Sequence, residues 1–148
     1  MFNDEINVDE ARSSLENISP LYRKFVERAL NADDPNEIEE IAFAMTGERR
    51  EMGIIVGLGT GGSKDSLWQR VLDEVYDFLC TNSKTYKDER SKGATHFQSL
   101  VAVIASAIGA TIHIGIGILT GLVSIALILV AKMGKNAWCK MNATRGKA

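Results

Sequence analysis

The chain has 148 residues, about one domain's worth, with a net charge of −2 and 45% hydrophobic residues. That apolar content and near balance of charge exclude disorder along the whole chain. The averages join two unlike halves: residues 1–96 carry 12 basic and 19 acidic side chains, and residues 97–148 carry 5 basic and no acidic ones.

The start, Met1 to Glu5, is acidic and polar and lacks the basic, then apolar, order of a secretory signal. It places the N-terminal half in the cytosol. Cys80 and Cys139 stand 59 residues apart with no CxxC pair. They read as two reduced thiols, not as a zinc site, a redox motif or the staple of a secreted domain. An acidic N-terminal half also speaks against nucleic acid as a partner.

Residues 9–18 set Ala11, Leu15 and Ile18 on one weak helical stripe. Ser19-Pro20 then reads as an N-cap followed by proline at the first helical position. Leu21, Tyr22, Phe25, Val26, Ala29 and Leu30 continue at helical period as far as Asn31. Asp34-Pro35 repeats the start signal, and Glu37, Glu39 and Glu40 suit a helix N-terminus. Ile38, Ile41, Ala42 and Met45 form its buried face, and Gly47 closes it as a left-handed C-terminal residue.

Gly57, Gly59 and Gly62 match the glycine positions of a dinucleotide-binding turn. No further strands are visible to build the parallel sheet that such a turn requires. The order Gly62-Ser63-Lys64 also departs from the Gly-Lys-Ser/Thr ending of a phosphate-binding loop. An interhelical loop is the reading taken. From Asp65 the helical period returns through Leu67, Trp68, Val71, Leu72, Val75, Tyr76 and Leu79. Residues 83–96 form a polar connector.

Between Gly93 and Ala131 lie 39 residues without Asp, Glu, Lys or Arg. Eighteen or more such apolar residues reach the length of a membrane span. Thr111, His113, Gly115 and Gly117 mark a break, which divides the run into arms of about 97–112 and 118–132. Basic residues flank the run on both sides, from Lys84 to Lys92 and from Lys132 to Lys147. Both flanks favour the cytosolic face, which argues for a hairpin with both termini cytosolic. The competing topology is a single tail anchor at about 113–131. The soluble alternative buries the hairpin at the centre of a bundle, as pore-forming toxins do before insertion, although about 80 residues can hardly cover both arms.

Ala105 with Gly109, and Gly117 with Gly121, are small-xxx-small pairs that let helices approach closely in lipid, within one chain or between chains. His113 is a polar residue at the hairpin tip or one lining a pore. Trp138, with Lys132 and Lys135, suits an interfacial belt.

The sequence thus predicts an all-α protein: a helical module over 1–82, the connector, a membrane hairpin over 97–132 and a basic tail over 133–148. No catalytic, cofactor-binding or metal-binding residues stand out. Two function classes fit. In one, the hairpin assembles into a homo-oligomer and permeabilises the lipid bilayer, as a bacterial effector or toxin would. In the other it only anchors the chain, and residues 1–82 recruit a cytosolic protein partner.

Overall fold

Asn7 opens the first helix, α1 (Val8–Ser13), by accepting bonds from the backbone N–H groups of Asp9 and Glu10 through its side chain. In this computed structural model, which describes residues 6–47, 66–81, 96–112 and 114–143, α1 is shorter than the stripe over 9–18 implies. It stops at Ser14, whose hydroxyl donates to the Ala11 carbonyl at 3.0 Å, and a 3₁₀ turn follows over Leu15–Asn17. Arg23 fixes that corner by donating to the carbonyls of Leu15 and Ile18, each at 3.0 Å.

Proline opens both of the next helices, α2 (Pro20–Asn31) and α3 (Pro35–Thr46). Asp34 caps α3 by accepting from the Asn36 N–H at 2.9 Å. Gly47 ends it at φ +80°, where a side chain would be strained. Ser19 makes no side-chain cap bond, so α2 begins on the fixed φ of Pro20 alone. Leu21 is 66% exposed and stands off the apolar stripe assigned to it, while Val26, Ala29 and Leu30 face the core. The glycine-rich stretch 54–64 lies outside the described residues. Ser66 caps α4 (Leu67–Cys80) through the Gln69 N–H, and Trp68, Val71, Leu72, Val75, Phe78 and Leu79 form its buried face.

The uncharged run forms two helices, α5 (Phe97–Thr111) and α6 (Ile116–Met133). A short helix, α7 (Lys135–Met141), follows across Gly134 at φ +92°. The described residues form seven α-helices and one 3₁₀ turn, with no strand among them.

The hydrophobic character of α6 decides the architecture. Every residue from Gly121 to Val130 is buried, so the helix has no solvent face over ten consecutive positions. A helix apolar on all sides must be surrounded, and α1, α2, α3, α4 and α5 all pack on it. Their directions follow from side-chain contacts. A Cβ at Gly117 would stand 3.8 Å from the Tyr22 ring, and Lys132 reaches the Leu30 carbonyl, so α2 runs parallel to α6. Met45, at the end of α3, meets Gly121 near the start of α6, and Gly109 of α5 meets Leu119. Helices α3 and α5 are therefore antiparallel to it. One apolar core runs from Ile6 to Trp138.

The apolar stripe of α5 is narrower. Phe97, Leu100, Val101, Ile104, Ala105 and Ile108 are buried, while Ser99, Ala102, Ser106 and Ala110 face outward. The fold therefore surrounds the central stretch of one arm, Gly121 to Val130, and covers the other on one side.

Candidate functional site

The element with the greatest functional potential is the antiparallel pair α5–α6. By length and composition, α6 is the one described helix able to cross a membrane; α5 is apolar but shorter. Eighteen residues at 1.5 Å each give α6 a length of roughly 27 Å, close to a hydrocarbon core of about 30 Å. Here 61% of that window is buried in protein. The hydroxyls on α6 are already satisfied within the helix. Thr120 donates to the Ile116 carbonyl at 2.7 Å and Ser124 to the Thr120 carbonyl at 2.8 Å. Such back-bonding lets a hydroxyl lie in an apolar setting without an orphaned donor.

The small residues are used inside the chain. Ala105 is buried, and a Cβ at Gly109 would lie 3.6 Å from Leu119 Cδ1, so this pair serves the contact between the two arms. Gly117 and Gly121 face the N-terminal helices. A Cβ at Gly121 would come within 2.9 Å of Met45 Cε and 3.3 Å of Tyr22 Cβ, whereas at Gly117 its nearest neighbour stands at 3.8 Å. Gly121 is therefore the tighter of the two positions, where side chains of α2 and α3 close over the helix.

His113 lies outside the described residues. Beside it, Ile114 and Ile116 are 37% and 58% exposed, so two isoleucines between the arms meet solvent. Arg70 of α4 donates to Thr111 Oγ1 at 2.9 Å beside that turn.

The opposite end is fastened by groups that composition alone does not reveal. Glu10 accepts from the Phe97 N–H at 2.9 Å and pairs with His96 Nδ1 at 3.2 Å, so a carboxylate from α1 caps the first turn of α5. The bond from Phe97 N–H, then the contact with His96, holds the Glu10 carboxyl below the ordinary glutamate range against a weaker opposing effect of burial. Lys132 donates to the carbonyls of Leu30 and Ala32. Its ammonium thus supplies a tertiary C-cap to α2.

Trp138 is buried at 2% exposure, with its ring 6.1 Å from that of Tyr76. In this arrangement it anchors α7 to α4 and does not face outward. Lys135, at the start of α7, is half-buried.

The two cysteines depart from expectation outright. Cys80 and Cys139 form a disulfide with Cα atoms 5.6 Å apart. Sequence separation concealed the pairing, since only the packing of α7 on α4 brings the two residues together. Among the described residues, no group of three His, Cys, Asp or Glu side chains could hold a metal ion. Comparison with family models, curated proteins and solved structures finds no match to this chain.

Proposed function

We propose that the chain is a membrane-inserting helical protein with two arrangements of the same helices. In the closed one, amphipathic helices cover α6. In the open one, α5 and α6 leave that jacket and enter a lipid bilayer as a hairpin with both flanks on the cytosolic side. The observation that carries this reading is a helix of membrane-spanning length, apolar on every face, held against helices that are each apolar on one face only. Release exposes the Gly117 and Gly121 face, which then suits packing between copies and assembly into a homo-oligomer that permeabilises the bilayer. The anchor alternative keeps the insertion and replaces permeabilisation with recruitment of a cytosolic protein by residues 1–82. Neither reading assigns the chain an enzymatic activity.

A second reading is favoured by the close fit of Tyr22 and Met45 over Gly121. On this reading α6 is the permanent core of a bundle that never opens. One experiment separates the three. The full chain is mixed with dye-loaded vesicles of phosphatidylcholine and phosphatidylglycerol, and flotation and dye release are read together. Flotation with release is expected. Flotation without release supports the anchor, and absence from the vesicle fraction at every pH and lipid ratio supports the permanent core and refutes insertion.

A further inference from the structure

The disulfide joins the last residue of α4 to the middle of α7, and both apolar helices lie in the chain between them. It therefore closes a covalent ring around the hairpin. At seven residues, α7 is too short to persist as a helix unaided. Its attachments to α4 include the buried Trp138 against Tyr76, a 3.4 Å bond from the Tyr76 hydroxyl to the Ala143 carbonyl, and the disulfide. Both cysteines are only half-buried and pack at the edge of the core; exchange requires a thiolate to reach one of their sulfurs.

We propose that the Cys80–Cys139 bond is a redox latch that fastens α7, and with it the C-terminal end of α6, to α4, and that a dithiol reductant opens it. A thiolate of the reductant attacks one sulfur, the disulfide breaks, and one cysteine leaves as a thiolate that takes up a proton. The second thiolate of the reductant then attacks the mixed disulfide and expels the other cysteine. Two electrons pass to the cysteine pair, and the dithiol becomes a disulfide.

The latch restricts where α6 can go. Cys139 follows Met133 by six positions, and even fully extended that stretch spans at most roughly 20 Å. With the two cysteine Cα atoms 5.6 Å apart, the closed latch therefore keeps the end of α6 within roughly 26 Å of the end of α4. It also fixes topology. Two Cα atoms 5.6 Å apart cannot flank a hydrocarbon core of about 30 Å. With the latch closed, the intervening chain crosses a bilayer an even number of times or not at all, and a single crossing requires reduction.

The test uses the full chain, oxidised in a glutathione disulfide buffer or reduced with dithiothreitol, alongside the double variant Cys80→Ser/Cys139→Ser. Maleimide should label no cysteine in the oxidised protein and both in the reduced one. On reduction, amide exchange over Lys135–Met141 should accelerate at least roughly tenfold more than exchange over α2 and α3, whose protection falls only with the lower global stability. The double variant should exchange at the faster rate in both buffers. Equal exchange over α7 in the two redox states overturns the latch, as does failure of the thiols to pair in the oxidising buffer. Uniform acceleration across α2, α3 and α7 overturns it too, because the bond would then hold the whole fold and not one element. Vesicle flotation of the same samples reports on insertion separately: its absence in both states removes the membrane reading and leaves the exchange result standing.

Discussion

Gly117 and Gly121 lie four residues apart on one face of α6, and sequence treats them alike, yet their surroundings separate them. At Gly117 an added Cβ meets only ordinary contacts at 3.8 and 4.0 Å. Near the start of the helix, alanine there should be neutral or stabilising by up to about 0.5 kcal/mol, part of the usual glycine-to-alanine gain. Gly121 is interior, where that gain approaches about 1 kcal/mol. Against it stand Met45 Cε at 2.9 Å and Tyr22 Cβ at 3.3 Å. The methionine end can move, but Tyr22 Cβ is tied to the α2 backbone, so Gly121→Ala should come out near zero. Gly121→Ile adds three further carbons where both neighbours stand, and overpacking of that kind costs about 1–3 kcal/mol. For a chain this long, a loss of 2–3 kcal/mol lowers the melting temperature by roughly 6–12 °C. Gly117→Ile should shift it far less.

Thermal melting of the monomer measures these effects, and Met45→Ala in the Gly121→Ile background tests the contact itself. Making room should restore stability relative to the sum of the single changes, with a coupling of about 1 kcal/mol or more. Equal shifts at the two glycines, or an additive double variant, would refute the argument that Gly121 marks the tight approach of α2 and α3. Under the proposed function, Gly121→Ile should also bind vesicles more readily, because the jacket is loosened while the hairpin gains apolar surface.

Glu10→Gln should weaken the cap on α5 by about 1 kcal/mol or less at neutral pH, since the carboxylate is partly exposed. Because folding lowers the Glu10 pKa, its contribution is complete above the unfolded value and disappears as pH falls through the folded one. The melting difference between wild type and variant should therefore shrink on acidification below the ordinary glutamate range; a difference constant from pH 6 to pH 3 would contradict the assignment. Lys132→Met should cost about 1–2 kcal/mol in urea unfolding, because two carbonyls at the end of α2, those of Leu30 and Ala32, lose a charged donor; a change below about 0.3 kcal/mol would mean water replaces the ammonium without loss. Opening the 59-residue disulfide loop should lower unfolding free energy by up to about 4 kcal/mol, read as a lower guanidinium midpoint for the reduced protein.

The sequence made the helices legible where one residue carries a local physical demand. Pro20 and Pro35 start helices because a fixed φ and a missing N–H are harmless there, and Gly47 ends one because its φ is positive. Periodicity likewise marked most of the buried face of α4, though not Phe78, and the weak helix formers Gly115 and Gly117 marked the break between the two arms. The arrangement of those helices was harder to read, because its determinants act across distance. Glu10 caps a helix that begins 87 residues later, Lys132 binds the C-cap carbonyl of one 100 residues earlier, and neither charge differs locally from a solvated one. Burial of α6 did have a signal. A stripe identifies a surface helix and the lack of one identifies a central helix, so the very feature that suggested a membrane span also suits the centre of a bundle. Both settings are apolar solvents for the same side chains. What distinguishes them is whether the surrounding helices carry enough apolar surface of their own. The inward faces of α2, α3 and α4 supply it for α6, and the outward Ser99, Ala102, Ser106 and Ala110 show where that cover stops on α5. Both charged caps and the disulfide gather at the end of the bundle where the hairpin's two ends meet, whereas Arg70 bonds Thr111 near the turn, beside exposed Ile114 and Ile116. The fold thus fastens the hairpin at its ends through charge and a covalent bond, and leaves two isoleucines beside its turn in contact with solvent.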